Sequence, residues 1–107
     1  MQTFSQRVLT MALSIPPGRV TTYGRIAIAA GGGSMAAQSI TTILGKAYDE
    51  GERGIPFHRI VYADGTAWIS KVPKRRKERL ALYKKEGIML DKNDRVENFR
   101  EVVMDFK

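Results

Sequence analysis

Three consecutive glycines, Gly31-Gly32-Gly33, constrain the fold of this chain most strongly, because they separate two stretches with helical periodicity. Glycine loses more backbone entropy on folding than any other residue, so a run of three predicts a turn. Residues 23–30 before the turn form a short helical pattern that Thr22 or Thr21 can cap. After the turn, Ser34 is a good N-cap for a third helix that extends to about residue 48. Together these features predict a helix-turn-helix motif.

An earlier helix is predicted over residues 3–14. Thr3 and Gln6 have the spacing of a capping box, in which each side chain binds the other residue's backbone N–H. Apolar residues then recur at helical spacing, and Pro16-Pro17-Gly18 ends the pattern. The first three predicted elements are therefore all helices.

The third helix has an unusual outer face. At 3.6 residues per turn its apolar residues fall on one side, whereas the opposite side carries Gln38, Thr41, Thr42 and Gly45. A solubilising surface normally carries lysine and glutamate, but short uncharged groups suit a helix that lies close against a DNA groove. Ordinary surface helices also carry threonine, so this face favours DNA binding only modestly.

The second half predicts a hairpin followed by a basic helix. Asp64-Gly65 lies between the β-forming stretches 59–62 and 66–69, which predicts a hairpin that could act as a wing. Pro73 fits the first turn of a helix ending at Gly87, with Leu80 and Tyr83 pointing inward.

The first turns of that last helix hold the basic residues Lys74, Arg75 and Arg76. Positive charge at a helix N-terminus is disfavoured by about 0.3–1 kcal/mol per group. Either DNA phosphates or exposure to salt-containing solvent could neutralise the cluster, and we favour phosphates because of the helix-turn-helix upstream. Residues 89–107 carry an apolar stripe that predicts a helix or an extended segment packed on the core.

Composition limits the classes of function. A chain of 107 residues predicts one domain, and its net charge of +7 suits a polyanionic partner or an acidic membrane surface. Without cysteine and with a single histidine, we expect no disulfide, no thiolate chemistry, no metal site and no cofactor. No apolar run is long enough to span a bilayer and no signal peptide opens the chain, so we expect a cytoplasmic protein, nucleoid-associated if it is prokaryotic. We also expect a monomer.

The segment Pro56-Phe57-His58-Arg59-Ile60-Val61 contains that histidine, and it resembles the Pro-Cys-His-Arg-Val active-site segment of DNA alkyltransferases that act on guanine O6. Here Phe57 stands where those enzymes have their nucleophilic cysteine. The chain is therefore more similar to the alkyltransferase-like proteins, which keep the DNA-binding domain without the nucleophile. The resemblance covers Phe4 to about Ile88, leaves 89–107 as a tail, and implies a mainly α, winged helix-turn-helix fold.

The resemblance also implies roles for individual residues. Within Val-Thr-Thr-Tyr-Gly at 20–24, Tyr23 matches the tyrosine that helps to rotate the target nucleotide. Gln38 stands where the family carries an arginine that fills the space of the extruded base, and Thr41 stands where the family usually has glycine. Glu86 matches a glutamate that hydrogen-bonds the active-site histidine, so we expect it to bind His58.

These considerations predict two sets of site residues. The lesion pocket would contain Tyr23, Phe57, His58, Arg59, Ser70 and Glu86. The DNA-binding set would contain Thr22, Tyr23, Ser34, Gln38, Ser39, Thr41, Thr42, Gly45, Lys74, Arg75 and Arg76.

The functional hypothesis is non-enzymatic recognition of O6-alkylguanine in duplex DNA, with excision-repair proteins as partners implied by the resemblance. One alternative is a winged-helix transcription regulator that reads unmodified DNA, and another is an adaptor that binds protein through the basic helix. For single residues the structural alternatives are a core position for Phe57, a buried hydrogen-bonded role for His58, a loop-holding role for Arg59, and hairpin packing for Trp68.

Overall fold

Three N-terminal helices form one half of the computed structural model, which describes residues 2–33, 37–69 and 71–106. They are α1 (Phe4–Leu13), α2 (Tyr23–Ala29) and α3 (Ala37–Asp49). Their apolar faces meet in a core that includes the fully buried side chains of Val8, Ala12, Ile26, Ile40 and Leu44. The arrangement follows the predicted periodicity, because the polar residues of α3 remain on its outer side.

The helix starts show the predicted capping. The hydroxyl of Thr3 accepts a hydrogen bond from the Gln6 N–H at 3.2 Å, and the Gln6 side chain accepts one from the Thr3 N–H at 2.8 Å. Of the two threonines before α2, Thr22 is the cap and accepts from the N–H of Arg25. The predicted cap of α3, Ser34, lies outside the described residues.

The small sheet differs from the predicted hairpin. Strand β1 (Thr21–Thr22) pairs in parallel with β2 (Ile60–Val61), and both strands are buried. The predicted turn is present, since the Gly65 N–H donates to the Tyr62 carbonyl at 2.8 Å and φ of Gly65 is +88°.

The arm after that turn has a partner in the C-terminal segment. Thr66 pairs in antiparallel fashion with Arg95, and the N–H of Ala67 donates to the carbonyl of Asp94 at 2.8 Å. The predicted hairpin is present next to its turn, where the N–H of Tyr62 also donates to the carbonyl of Thr66 at 2.9 Å. Beyond that pair its arms separate, because Ile60–Val61 pairs with β1 and Thr66 pairs with Arg95. The mainly helical fold with a two-stranded sheet, compatible with a winged helix, is confirmed.

Helix α4 (Pro73–Lys85) and the short α5 (Phe99–Val102) complete the fold. Tyr83 of α4 lies in a second apolar cluster, which also contains Val20, Val61, Ala67, Ile88 and Val96. The helix stops two residues earlier than predicted, with Glu86 as C-cap and Gly87 in the left-handed region at φ +76°. Within the described ranges, every helix is too short or too polar to cross a bilayer.

The C-terminal segment lies alongside β1. The N–H of Val20 donates to the carbonyl of Val102 at 3.0 Å, and the N–H of Met104 donates to the carbonyl of Val20 at 2.7 Å. The hydroxyl of Thr21 adds a bond to the Met104 carbonyl at 2.9 Å. These contacts place the tail against the strand that leads directly into α2.

Candidate nucleic-acid interface

Phe57 begins a single 3-10 turn, Phe57–Arg59, that directly precedes β2. The turn closes where the Arg59 N–H donates to the carbonyl of Pro56 at 2.9 Å. The half-buried Phe57 ring meets the ring of Tyr48 edge-on, with centroids 6.0 Å apart. The guanidinium of Arg53 lies 4.1 Å from the centroid of Tyr48. Phe57 is therefore packed against Tyr48, which in turn makes a cation–π contact with Arg53.

The side chains of the two residues after Phe57 both contact the carboxylate of Glu86. Nε2 of His58 lies 2.6 Å from Oε2 of Glu86, and Nη2 of Arg59 donates to the same oxygen at 2.8 Å. The N–H of Gly18 donates to Oε1 at 3.1 Å, while Nη1 of Arg59 binds the carbonyl of Ile15. The predicted bond between His58 and Glu86 is therefore present. Arg59 also binds a backbone carbonyl of the loop after α1, which agrees with the loop-holding role given above as its structural alternative.

The environment of Glu86 strongly favours the charged carboxylate. Burial by itself would raise the pKa of Glu86, but hydrogen bonds from Arg59, His58 and the Gly18 N–H outweigh it and lower the pKa to about 2. The Glu86 side chain is only 10 % exposed, so little solvent screens these contacts. The carboxylate therefore connects the end of α4, the 3-10 turn and the loop after α1.

A cavity of about 800 Å³ opens on the other side of the 3-10 turn. Volumes of about 300–1,000 Å³ are usual for pockets that take small ligands. Its walls are mainly aromatic and apolar, and they come from α2, α3, the 3-10 turn, the segment around Tyr62 and α4. The lining residues are Tyr23, Gly24, Gln38, Thr41, Phe57, Ile60, Tyr62, Ala63, Trp68 and Arg79.

Tyr23 occupies the first position of α2 and forms one edge of this cavity. Its ring lies 6.0 Å from that of Tyr62 in a tilted arrangement. Burial and the neighbouring Tyr62 raise the pKa of Tyr23, against smaller lowering effects of a hydrogen bond with Thr41 and the charge of Arg79. The phenol is therefore neutral at physiological pH.

The predicted DNA-binding residues fall into separate groups. Gln38 and Thr41 line the cavity, whereas Ser39 and Thr42 are exposed on α3 beside Gly45. Ser34 and the predicted pocket residue Ser70 lie outside the described residues.

The basic start of α4 is also divided. Lys74 and Arg75 are exposed, but Arg76 makes a bidentate pair with Asp94 at 2.9 and 3.1 Å. The charge of Arg76 is therefore already balanced within the protein. Lys74 and Arg75 remain the members of the cluster that face solvent.

Six residues that line the cavity were absent from the predicted site: Gly24, Ile60, Tyr62, Ala63, Trp68 and Arg79. Trp68 was assigned to hairpin packing, but this residue is 55% exposed and lines the cavity. Arg79 was recoverable from periodicity, because it precedes the inward-facing Tyr83 by one helical turn. No sequence pattern indicated that Tyr62 would meet Tyr23.

The described residues contain no group of three or more histidine, cysteine, aspartate or glutamate side chains that could hold a metal ion. The polar groups near the cavity are instead amide, hydroxyl, phenol and guanidinium groups. Such groups can bind and orient a partner.

Comparisons with known proteins agree with this geometry. The sequence profile of the 6-O-methylguanine DNA methyltransferase DNA-binding domain matches residues 3–88. The "DNA base-flipping protein" of Escherichia coli K12 is 36% identical over 94 residues, which are 88% of this chain and 69% of that protein.

Solved structures show the same fold. A crystal structure of S. pombe Atl1 in complex with damaged DNA containing O6-carboxymethylguanine has a TM-score of 0.73 at 22% identity, covering 99% of this chain and 100% of that one. A structure of S. pombe ATL in complex with DNA has a TM-score of 0.69 at 27% identity, covering 99% of this chain and 100% of that one. The Mycobacterium tuberculosis O6-methylguanine methyltransferase has a TM-score of 0.56 at 28% identity, covering 80% of this chain and 49% of that enzyme.

These matches confirm the resemblance that the Phe57 segment indicated. The chain belongs to the family of the 6-O-methylguanine DNA methyltransferase DNA-binding domain.

Proposed function

We propose that this protein recognises O6-alkylguanine in duplex DNA by holding the flipped nucleotide in the cavity beside Phe57, and that it transfers no alkyl group. The observation that carries the proposal is the position of the cavity. It lies between Phe57, at the position of the family's nucleophile, and Gln38 and Thr41 of α3, the second helix of the helix-turn-helix. A nucleotide leaving DNA bound at α3 would enter it directly.

The walls suit a flipped, alkylated base. Rotating a nucleotide out of the stack takes a few kcal/mol, which stacking on aromatic side chains can offset at about 1–3 kcal/mol per base. Phe57, Tyr62 and Trp68 all present rings to the cavity. The alkyl substituent adds about 0.8 kcal/mol for each CH₂ group buried, so a modified guanine gains more than an unmodified one.

The chemistry of alkyl transfer has no support in this chain. A phenyl ring cannot act as a nucleophile, and the sequence contains no cysteine. Nε2 of His58 binds Glu86, as the resemblance implies for the active-site histidine of the enzymes, but the neighbouring Phe57 offers no thiol for it to activate.

The rest of the predicted DNA surface supports the same orientation. Ser39 and Thr42 are exposed on α3, and Lys74 and Arg75 are exposed at the start of α4, where phosphates would balance their charge. Gln38 projects at the cavity, where its amide can hydrogen-bond the base left unpaired by flipping. The similarity to the DNA base-flipping protein of Escherichia coli and to S. pombe Atl1 in complex with damaged DNA supports this function.

The decisive experiment is a binding titration with two duplexes that differ only by one O6-methylguanine, each measured at low and at near-physiological salt. We expect tighter binding to the modified duplex at both salt concentrations. Emission from Trp68, the chain's single tryptophan, supplies a second signal, because a base entering the cavity would change its surroundings. Mass spectrometry of the protein after binding should show no added methyl group.

Equal affinity for both duplexes would refute lesion recognition and favour a regulator that reads unmodified DNA. A methylated protein would contradict the absence of transfer. As parts of the same proposal, the protein acts as a cytoplasmic or nucleoid-associated monomer, and its complex with the lesion recruits nucleotide excision repair proteins. Sedimentation of the free protein and capture of repair proteins on modified duplex test these two points.

A further inference from the structure

Arg79 of α4 brings a positive charge to the cavity. Among the described residues that line the cavity it is the only one with a formally charged side chain, and none of them carries a carboxylate. The described residues also include no carboxylate within ion-pair distance of Arg79, although Arg25, Arg59 and Arg76 each have one. Arg79 is half-buried.

The neighbours of Arg79 are phenols. Arg79 is close enough to Tyr23 and Tyr83 to lower the pKa of each, but burial is the larger effect and raises the pKa of Tyr83 to about 12. Both phenols are therefore neutral at physiological pH. The guanidinium of Arg79 lies within reach of the buried Tyr83 hydroxyl and helps to lower its pKa, but among the described residues that hydroxyl has no well-formed hydrogen bond. Neither neighbour balances the charge of Arg79.

The surroundings of the cavity add to the positive potential. Residues 71–87 contain eight basic and two acidic side chains. Of the two acidic ones, Glu86 is already engaged by His58 and Arg59, and Glu78 is exposed. A cation in a mostly apolar cavity attracts an anion more strongly than the same cation in bulk water, because fewer water molecules screen it.

We propose that Arg79 makes the cavity selective for O6-guanine adducts that end in an anionic group, such as a carboxylate. This inference rests on the proposed function, since it names the class of lesion that the same cavity would favour. The base would occupy the aromatic part of the cavity, and the anionic end of the adduct would pair with the guanidinium. Arg79 then acts as a specificity-determining residue, separate from the DNA-facing cations Lys74 and Arg75.

The test uses the full chain and four duplexes that differ at one guanine: unmodified, O6-methyl, O6-carboxymethyl and O6-carbamoylmethyl. The last two adducts have nearly the same shape and differ by one negative charge. We expect the wild-type protein to bind the carboxymethyl duplex about tenfold more tightly than the carbamoylmethyl duplex. Arg79→Gln should bring that ratio close to one, and Arg79→Lys should retain part of it.

Arg75→Gln is the matched control, because Arg75 lies one turn earlier on α4, is exposed and does not line the cavity. It should weaken binding to all four duplexes by a similar factor and leave the ratio unchanged. Thermal unfolding of each variant shows whether the Arg79 changes affect folding, and Arg79→Lys keeps the charge if the glutamine variant unfolds.

Three results would overturn the inference: a wild-type ratio near one, a ratio that persists in Arg79→Gln, or equal losses on every duplex in that variant, which would make Arg79 a phosphate contact. The O6-methyl and unmodified duplexes separate this failure from failure of the proposed function. If the methylated duplex is preferred but the two isosteric adducts bind alike, only the role of Arg79 is refuted.

Discussion

Phe57 and the next two residues, His58 and Arg59, lie in very different environments. His58 and Arg59 belong to a hydrogen-bonded ionic network, whereas Phe57 belongs to the wall of a cavity. His58 and Arg59 converge on Glu86, in a network whose side chains are 10–18% exposed. Phe57 faces a cavity of about 800 Å³ with aromatic walls. One side of the 3-10 turn therefore holds the fold together, while the other side remains available for a partner.

This separation has a physical cause. A carboxylate that accepts hydrogen bonds from a guanidinium, an imidazole and a backbone N–H is satisfied and gains nothing from a new partner. An aromatic wall exposed to water gains whenever an apolar ligand covers it. Changes in the Glu86 network should therefore alter stability, whereas changes in the cavity wall should alter recognition.

The largest expected effect is on stability, from Glu86→Gln. The neutral side chain leaves the largely buried Arg59 without its charge partner, so we expect the free energy of unfolding to fall by about 3–5 kcal/mol. Urea denaturation at neutral pH measures the change. Glu78→Gln, at an exposed position on the same helix, should stay within about 0.5 kcal/mol of wild type. A Glu86 variant as stable as that control would show that the network does not hold the fold.

Acid should weaken the same network in the wild-type protein. Because the pKa of Glu86 is about 2 in the folded state and about 4.3 when unfolded, the stabilisation is complete above the unfolded pKa and is lost as pH falls through the folded pKa. We expect this group to contribute a loss of about 3 kcal/mol between about pH 5 and pH 2. The stability gap between wild type and Glu86→Gln should narrow over that range. A constant gap would contradict the low pKa.

On the cavity side, Phe57→Ala should reduce affinity for the O6-methylguanine duplex by about tenfold, within the range expected for lost base stacking. Affinity for unmodified duplex should change much less. Phe57→Leu is the matched variant, because it fills part of the space without presenting an aromatic face. Equal losses on both duplexes would place Phe57 in the core rather than at the recognition surface.

The smallest effect is expected from Tyr23→Ala, which should reduce affinity for the modified duplex by about fivefold. Flipping the nucleotide costs a few kcal/mol, and Tyr23 offsets only part of that free energy. The loss should exceed that on unmodified DNA. Thr42→Ala, exposed on α3 but outside the cavity lining, serves as the control and should affect both duplexes alike. If Tyr23→Ala behaves like Thr42→Ala, Tyr23 makes plain phosphate contact.

Local patterns in the sequence determined much of this protein. The Thr3 capping box, the periodicity of α3 and the turn at Gly65 each depend on residues a few positions apart, so they could be predicted. The family resemblance added the bond between His58 and Glu86, which no local pattern contains. Phe57 in place of a cysteine is likewise visible in the sequence alone.

Only the tertiary structure decided which strands pair and what lines the cavity. Such contacts join segments that are far apart in the sequence, so they depend on which surfaces the folded chain buries and which charges it brings together. Examples are the pairs Thr21 with Ile60, Thr66 with Arg95 and Arg76 with Asp94. Trp68 and Arg79 reach the cavity for the same reason. Local sequence determines which helices and turns can form, but the contacts among distant segments that create the cavity depend on how those elements pack together.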